Sequence, residues 1–446
     1  MKNIILTANG TQKADLVLKN ASIVNVFTES IEVGDVAITD GKIVGIGRYE
    51  GKIEKDMTGR FVCPGFIDGH IHLESSMVTP SEFARAVIAH GTTAVITDPH
   101  EIANVAGCDG ITYMMQATKD LPLDVFFMVP SCVPATDLDE SGACLNADDI
   151  TPFYNDRRVL GLAEMMNAFG VNQADGSVLS KIKTTLEHDR IIDGHAPLLT
   201  GKELNAYAAA GIRSDHECSN IAEAKEKLSR GQWIMIREGT AAKNLQELMP
   251  LFEAPYYNRI LLVTDDKHPL DLLNDGHIDA IIRKAVHLGA DPIRAIKAGS
   301  LNAATNFGLR DTGAIAPGYD ADIVVLNDLT DLHVQEVYKQ GTLISERGQI
   351  TTAVNSNTDS IPERVIHSFH VEKITPEQLV IPKQGEHIRV IELHAGELLT
   401  SERTASWNTD TSAKDWADGI NPDDDIIKIV AIERHKNTGH LGKGFL

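Results

Sequence analysis

Between residues 61 and about 310 the chain repeats one pattern. A short run of Val, Ile, Leu or Phe is followed by a stretch in which apolar residues recur every three or four positions. Short apolar runs bounded by Gly, Pro or Asp are strand signals, and the three-to-four recurrence marks an amphipathic helix. The runs end near Gly69, Pro99, Cys132, Asn167, Ala196, Glu217, Glu238 and Asp266. Helix-like stretches such as PSEFARAVIAHG, SNIAEAKEKLSRG and AAKNLQELMPLF lie between them. Eight strands alternating with helices predict an α/β fold, a (β/α)8 TIM-like barrel over residues 61–310.

The flanks read differently. ADLVLKNASIVNV and DVAITDGKIVGIG alternate apolar with polar and are broken by Asn and Asp-Gly, so the first sixty residues read as short strands. After the barrel, HIDAIIRKAVHLGADPIRAIKAGSLNAATNFGL predicts two helices. DTGAIAPGYDADIVVLND and VQEVYKQGTLISERGQI then return to strands. Residues 1–60 and 311–351 are therefore expected to share one small β-sandwich. The polar, linker-like TTAVNSNTDS leads into residues 352–446, which carry strand signals in HIRVIELHAGELLT and DDDIIKIVAIERHKNTGHLGKGFL. This last part is expected to be a partial C-terminal α+β domain, truncated at GKGFL.

Composition narrows the function. The 446 residues suffice for a barrel with satellites, and 43% hydrophobic against 23% charged side chains fits a globular protein. No apolar run approaches the roughly 20 residues of a membrane span. MKNIILTANGTQ turns polar too early for a secretory signal, so the cytoplasm is the default compartment. With 41 basic and 63 acidic side chains the net charge is −22, which repels nucleic acid and anionic membranes but not a neutral small molecule such as a free nucleobase. Cys63, Cys108, Cys132, Cys144 and Cys218 form no CxxC pair and read as reduced thiols.

The candidate chemistry sits just past the apolar runs, in His70, His72, Glu164, His195, His216 and the pair Asp265–Asp266. A parallel barrel gathers the C-terminal ends of its strands at one mouth, so residues far apart in sequence can meet there. His-x-His at a strand end puts both imidazoles on one side. A single HxH is common, and His195 or His216 alone reads equally well as a hydrogen-bonded core histidine. The ordered set is what points to metal. Mixed imidazole and carboxylate ligands suit Zn, Fe or Mn. The absence of PCxxC excludes the zinc deaminases built on that signature.

The order of these residues resembles the amidohydrolase superfamily. There HxH ends the first strand, a carboxylate or modified Lys the fourth, single histidines the fifth and sixth, and Asp the eighth. CPGFIDGHIH and GAIAPGYDADIVVLN are similar to the same superfamily. The fourth-strand run VLGLAEMMN offers no Lys. With HLESSMVTP, ITDPHEIANVAG, GLAEMMN, DGHAP and SDHE, it resembles the bacterial adenine deaminase family from about residue 15 to the end. The resemblance implies two divalent metals, Mn2+ or Fe2+ rather than Zn2+. Glu164 would bridge them, with His70 and His72 on one and His195 and His216 on the other. Asp265 would ligate one metal and act as general base. A metal-bound hydroxide would attack C6 of adenine, releasing ammonia and hypoxanthine in purine salvage. The substrate is then a small molecule, and a homodimer or higher homo-oligomer is the default assembly.

The residues that would read the purine stay open. His100 and Glu101 follow the second strand and belong to the mouth, as substrate contacts or as a loop hydrogen-bond network. Asp98 either orients a ligating His or caps a turn. Glu217 and Asp266 either reach ring nitrogens or form solvated flanks. Glu74 stands behind the ligands or on the surface, and Arg237 meets substrate or forms a salt bridge. His268, His277, His287, His435 and His440 read as surface or structural. Two alternatives remain: an amidohydrolase acting on another cyclic amide or amidine, and an inactive scaffold or fragment of the same fold.

Overall fold

The computed structural model describes residues 1–136, 138–354, 361–396, 398–407 and 424–446. Five parallel strands form one sheet in sequence order: β1 (Phe66–Ile71), β2 (Thr92–Thr97), β3 (Asp124–Val129), β4 (Val159–Met165) and β5 (Ile191–Gly194). Three more form a second: β6 (Ser214–Asp215), β7 (Trp233–Arg237) and β8 (Ile260–Val263). Parallel bridges join the sheets at both seams, Ile192 to Ile212 and Ile71 to Asp265. β8, the unbroken run ILLV, is buried throughout, as a strand covered on both faces must be. Ile67, Ala94, Ile96, Met128, Ala163, Met235, Leu261 and Val263 pack with Ala303, Ala304 and Phe307 in one core cluster.

Helices cover the sheets. Pro80–Ala89 starts with a proline, whose missing N–H costs nothing in the first turn, and buries Phe83, Ala84, Val87 and Ile88. Ile221–Ser229 is capped by the Asn220 side chain, which accepts from the Glu223 amide.

Three local expectations change. The stretch HIDAIIRKAVHLGADPIRAIKAGSLNAATNFGL holds three helices, Ile278–His287, Pro292–Ala298 and Leu301–Asn306, where periodicity predicts two. The chain breaks at Gly299, whose carbonyl accepts from the Ile67 amide at 2.8 Å, and a Cβ there would meet Ile278 and Ile282 at 3.0 Å. AAKNLQELMPLF keeps only one α-helical turn, Leu245–Leu248, before a 3-10 turn at Met249–Phe252, because Pro250 supplies no amide. The first sixty residues, read as strands alone, open with a helix, Lys2–Ala8. Its Ile4 and Ala8, one turn apart, pack on Ala14, Val17, Ala37 and Val44.

The two flanks meet in one nine-stranded sheet. Phe61–Pro64 pairs in parallel with Ala14–Asn25 and antiparallel with Ile323–Leu326, so the strand entering β1 is gripped from both sides. Farther on, His387–Glu392, Ser401–Ser406, Lys428–Ile432 and Leu441–Phe445 form a four-stranded sheet over Ile388, Val390, Ile426 and Phe445. The linker expected at TTAVNSNTDS lies outside the described residues from position 355 onward. Among the described residues no helix is long and apolar enough to cross a membrane.

One buried ion cluster ties the end of β5 to β6. Lys227 is fully buried, and its Nζ donates to Asp215 at 2.8 Å, Glu223 at 2.7 Å and the Ala196 carbonyl at 2.6 Å. Asp215 also accepts from the Ala196 amide at 2.8 Å. Lys227→Met strands two buried carboxylates and is expected to lower stability by about 3–5 kcal/mol in urea titration. Lys52→Met removes an exposed pair with Asp15 and should leave the urea midpoint unchanged.

Candidate metal centre

Gly69 lets β1 press against β8: a Cβ at this position would lie 2.2 Å from Leu261 Cδ1. The seam then sets the register of three candidate ligands. The Asp265 amide donates to the His70 carbonyl at 2.9 Å, and the His72 amide to the Asp265 carbonyl at 3.2 Å. Asp265 itself has φ +58°, a left-handed conformation that non-glycine residues rarely adopt. This turn at the end of β8 faces its side chain back toward β1.

The other candidates arrive on their own strands. Glu164 lies inside β4, His195 follows β5, and His216 follows β6. All six side chains meet. Glu164 Oε1 is 3.4 Å from His72 Nε2, while Oε2 is 2.7 Å from His195 Nδ1 and 3.2 Å from His216 Nε2. Asp265 Oδ1 is 3.1 Å from His72 Nε2 and 3.9 Å from His70 Nε2. The His70 and His216 rings stack with centroids 4.4 Å apart. Glu164 thus stands between two groups of imidazoles, one oxygen toward each.

The donor set fits divalent cations. His70 Nε2 is buried with no hydrogen-bond partner among the described residues, a costly state for a polar atom unless something binds it. His195 Nδ1 and His216 Nε2 lie 3.3 Å apart and both face the same Glu164 oxygen. His70, His72 and Asp265 offer ligand atoms within 4.8 Å of one another, as do His70, Glu164 and His216.

Charge balance sets the direction in which each of these groups shifts. Burial pulls the His70 imidazole down, but the bond to Asp193 and the charges of Glu164 and Asp265 outweigh it and raise it to about 9. Burial likewise works against His100, and Asp98 and Glu101 carry it to about 10. Burial would raise Glu164, yet its imidazole partners hold it well below the usual carboxylate range.

The remaining predicted positions divide. His100 and Glu101 join the cluster: His100 Nδ1 lies 2.8 Å from Asp98 Oδ2 and 3.3 Å from Glu164, and Glu101 Oε2 lies 3.5 Å from His72 Nδ1. The Asp98 carbonyl also pairs with His72 Nδ1 at 2.9 Å, so this residue touches two imidazoles of the cluster. Glu217 is no solvated flank; it is buried and paired with Arg237. Asp266 accepts from the Ser75 hydroxyl and offers a carboxylate oxygen within 4.8 Å of ligand atoms of His72 and Glu101. Glu74 accepts from the Ile102 amide, and burial together with the Glu101 charge pushes its carboxyl up to about 8. Of the histidines set aside, His277 is fully buried, with Nε2 2.9 Å from Asp68 and Nδ1 2.7 Å from the Thr92 hydroxyl.

Two acids beside the ligands were not singled out from sequence. Asp68 accepts from the His70 and Thr264 amides, both at 3.2 Å, and Asp193 lies 3.6 Å from His70 Nδ1. The signal was present: FIDGH and IIDGH each set an Asp two residues before a candidate ligand, on the same strand face.

With this geometry in hand, comparison with known proteins defines the class. The model of the amidohydrolase family matches residues 61–344, and the chain belongs to that family. Solved structures share its TIM-barrel type of fold. They include a β-aspartyl dipeptidase from Fervidobacterium islandicum AW-1 (TM-score 0.57, 17% identity, 76% of this chain and 99% of that one). A D-aminoacylase described as having a binuclear metal centre also matches (TM-score 0.57, 13% identity, 76% and 98%). More specific are relatives named adenine deaminase. That of Desulfatibacillum aliphaticivorans is 46% identical over 99% of this chain and 76% of its own length. That of Clostridium acetobutylicum is 45% identical over 98% and 76%, and that of Geobacillus kaustophilus 44% identical over 100% and 77%.

Two outcomes follow. Metal analysis of protein reconstituted with Mn2+ should find two ions per chain, and Glu164→Ala should hold one or none. Ions must displace protons from His70, which the metal-free protein holds up to about 9. The apparent Mn2+ affinity in a fluorescence titration should therefore keep rising with pH up to about 9, instead of levelling off near the ordinary imidazole value.

Proposed function

We propose that the protein is an adenine deaminase, converting adenine and water to hypoxanthine and ammonia. The observation that carries this reading is identity of 44–46% along nearly the whole chain with proteins of that name. It is supported by the split Glu164 carboxylate, which suits a two-ion centre. His70, His72 and Asp265 would hold one ion, His195 and His216 the other, with Glu164 between them. Bound divalent ions act as Lewis acids and make a hydroxide nucleophile available near neutral pH. Mn2+ or Fe2+ is our choice for the resident metal.

The chain's own residues supply the rest. Asp265 takes the proton of the attacking water and returns it toward the departing nitrogen. Its carboxyl is suited to begin ionised: burial opposes the charge, but the hydrogen bond and charge of His72 hold it far below the carboxylate range. His100, Glu101, Glu217 and Asp266 are our candidates for contacts to the purine edge. Of these, Glu217 is buried, where a polar contact to substrate is strengthened by the exclusion of water.

We further read the chain as a full (β/α)8 barrel with a β-sandwich from both flanks and a C-terminal α+β domain. Our reading also includes a cytoplasmic setting, a role in purine salvage and a homo-oligomeric assembly.

Purified protein with Mn2+ should release ammonia from adenine and form hypoxanthine stoichiometrically, followed by chromatography. Asp265→Asn should lower kcat by about 10²–10⁴-fold. Turnover of a hydantoin or dihydropyrimidine with none of adenine would sink the substrate assignment.

A further inference from the structure

Arg237, the last residue of β7, is buried with two acids of the centre on a single nitrogen. Its Nη1 donates to Asp265 Oδ2 at 2.6 Å and to Glu217 Oε1. Glu217 Oε1 is the same oxygen that lies 3.5 Å from His216 Nε2 and 3.8 Å from His195 Nδ1. His195, His216 and Glu217 could by themselves surround a cation, since their ligand atoms fall within 4.8 Å. The guanidinium therefore competes with any ion for this oxygen and for the second oxygen of Asp265.

The backbone at Arg237 is locked as well. Its amide donates to Asn244 Oδ1 at 2.8 Å, and the Asn244 amide donates to its carbonyl at 3.0 Å. The Asn244 side chain also donates to the carbonyls of His216 at 3.3 Å and Cys218 at 3.1 Å. Arginine is thus held against the same segment that carries a candidate ligand. Nε is buried without a partner among the described residues, so Glu217 and Asp265 supply the polar contacts recorded for the guanidinium.

We propose that Arg237 is a positioning residue that decides which carboxylate oxygens face the ions. It holds Asp265 with only Oδ1 turned to His70 and His72, and it keeps Glu217 out of the ligand set as a neutralised neighbour. This rests on the two-ion reading above. Removing the guanidinium frees two carboxylate oxygens for cations and takes one positive charge from their vicinity. Ion binding then strengthens, while Asp265 loses the fixed orientation that proton transfer requires. A misplacement of about 1 Å in a reacting group costs on the order of 100-fold in rate.

The test separates these effects. Mn2+ titration of metal-free protein, read by electron paramagnetic resonance without substrate, compares the parent with Arg237→Met. The variant is expected to bind Mn2+ at least as tightly as the parent, with an altered spectrum. With adenine, its kcat should fall about 100-fold while KM stays within about threefold. Arg237→Lys keeps the charge and should recover at least tenfold of the lost kcat. Weaker Mn2+ binding in step with a lowered melting temperature would make Arg237 a plain structural brace and overturn the proposal, as would an unchanged kcat. If Arg237→Met does not fold, Arg237→Gln carries the same comparison and the same criteria. If the parent does not turn over adenine, the substrate assignment fails, and the Mn2+ comparison still decides the role of Arg237.

Discussion

Everything at the barrel mouth depends on neutralising carboxylates packed out of water. Glu164, Asp265, Glu217, Asp98 and Asp193 are buried within one small volume. Carboxylates that close together cannot all stay ionised unless each has an opposite charge or a donor beside it. The imidazoles provide part of that balance and Arg237 another part. The raised His70 and His100 and the depressed Glu164 describe one arrangement, in which protons occupy the place suited to cations. On the two-ion reading proposed above, metal uptake would exchange those protons for ions.

The shell around the centre follows the same rule. Lys227 neutralises Asp215 and Glu223 with no access to solvent, and Asp215 in turn fixes the backbone next to His195 and His216. Asp68 does the corresponding work at the other seam. It ties the His70 and Thr264 amides together and is itself held by His277. Each polar group anchors a strand end whose neighbour carries a candidate ligand, and such anchors keep metal ligands from relaxing away from the geometry an ion needs. The nine-stranded flank sheet adds a mechanical constraint, because Phe61–Pro64 is paired on both sides just before β1 begins.

Much of this was legible in the chain. The alternation of short apolar runs with amphipathic stretches marked the strands of the barrel, since a buried parallel strand has no polar face to show. The candidate ligands were readable because strand-end position is a one-dimensional property. Helix boundaries were less so. The break at Gly299 answers to the amide of Ile67, more than two hundred residues away, and no local periodicity carries that information.

What the sequence determined by itself was the inventory: which side chains bear chemistry, in what order, and on which face of a strand, because side-chain direction follows the local backbone. The tertiary structure decided the pairing. Only the assembled strands turn Glu164 so that its two oxygens face different imidazoles, or set Arg237 on an oxygen that also faces His195 and His216. Those contacts join residues 20 to 92 positions apart, and their energies depend on distance and burial, which exist only after the chain has folded.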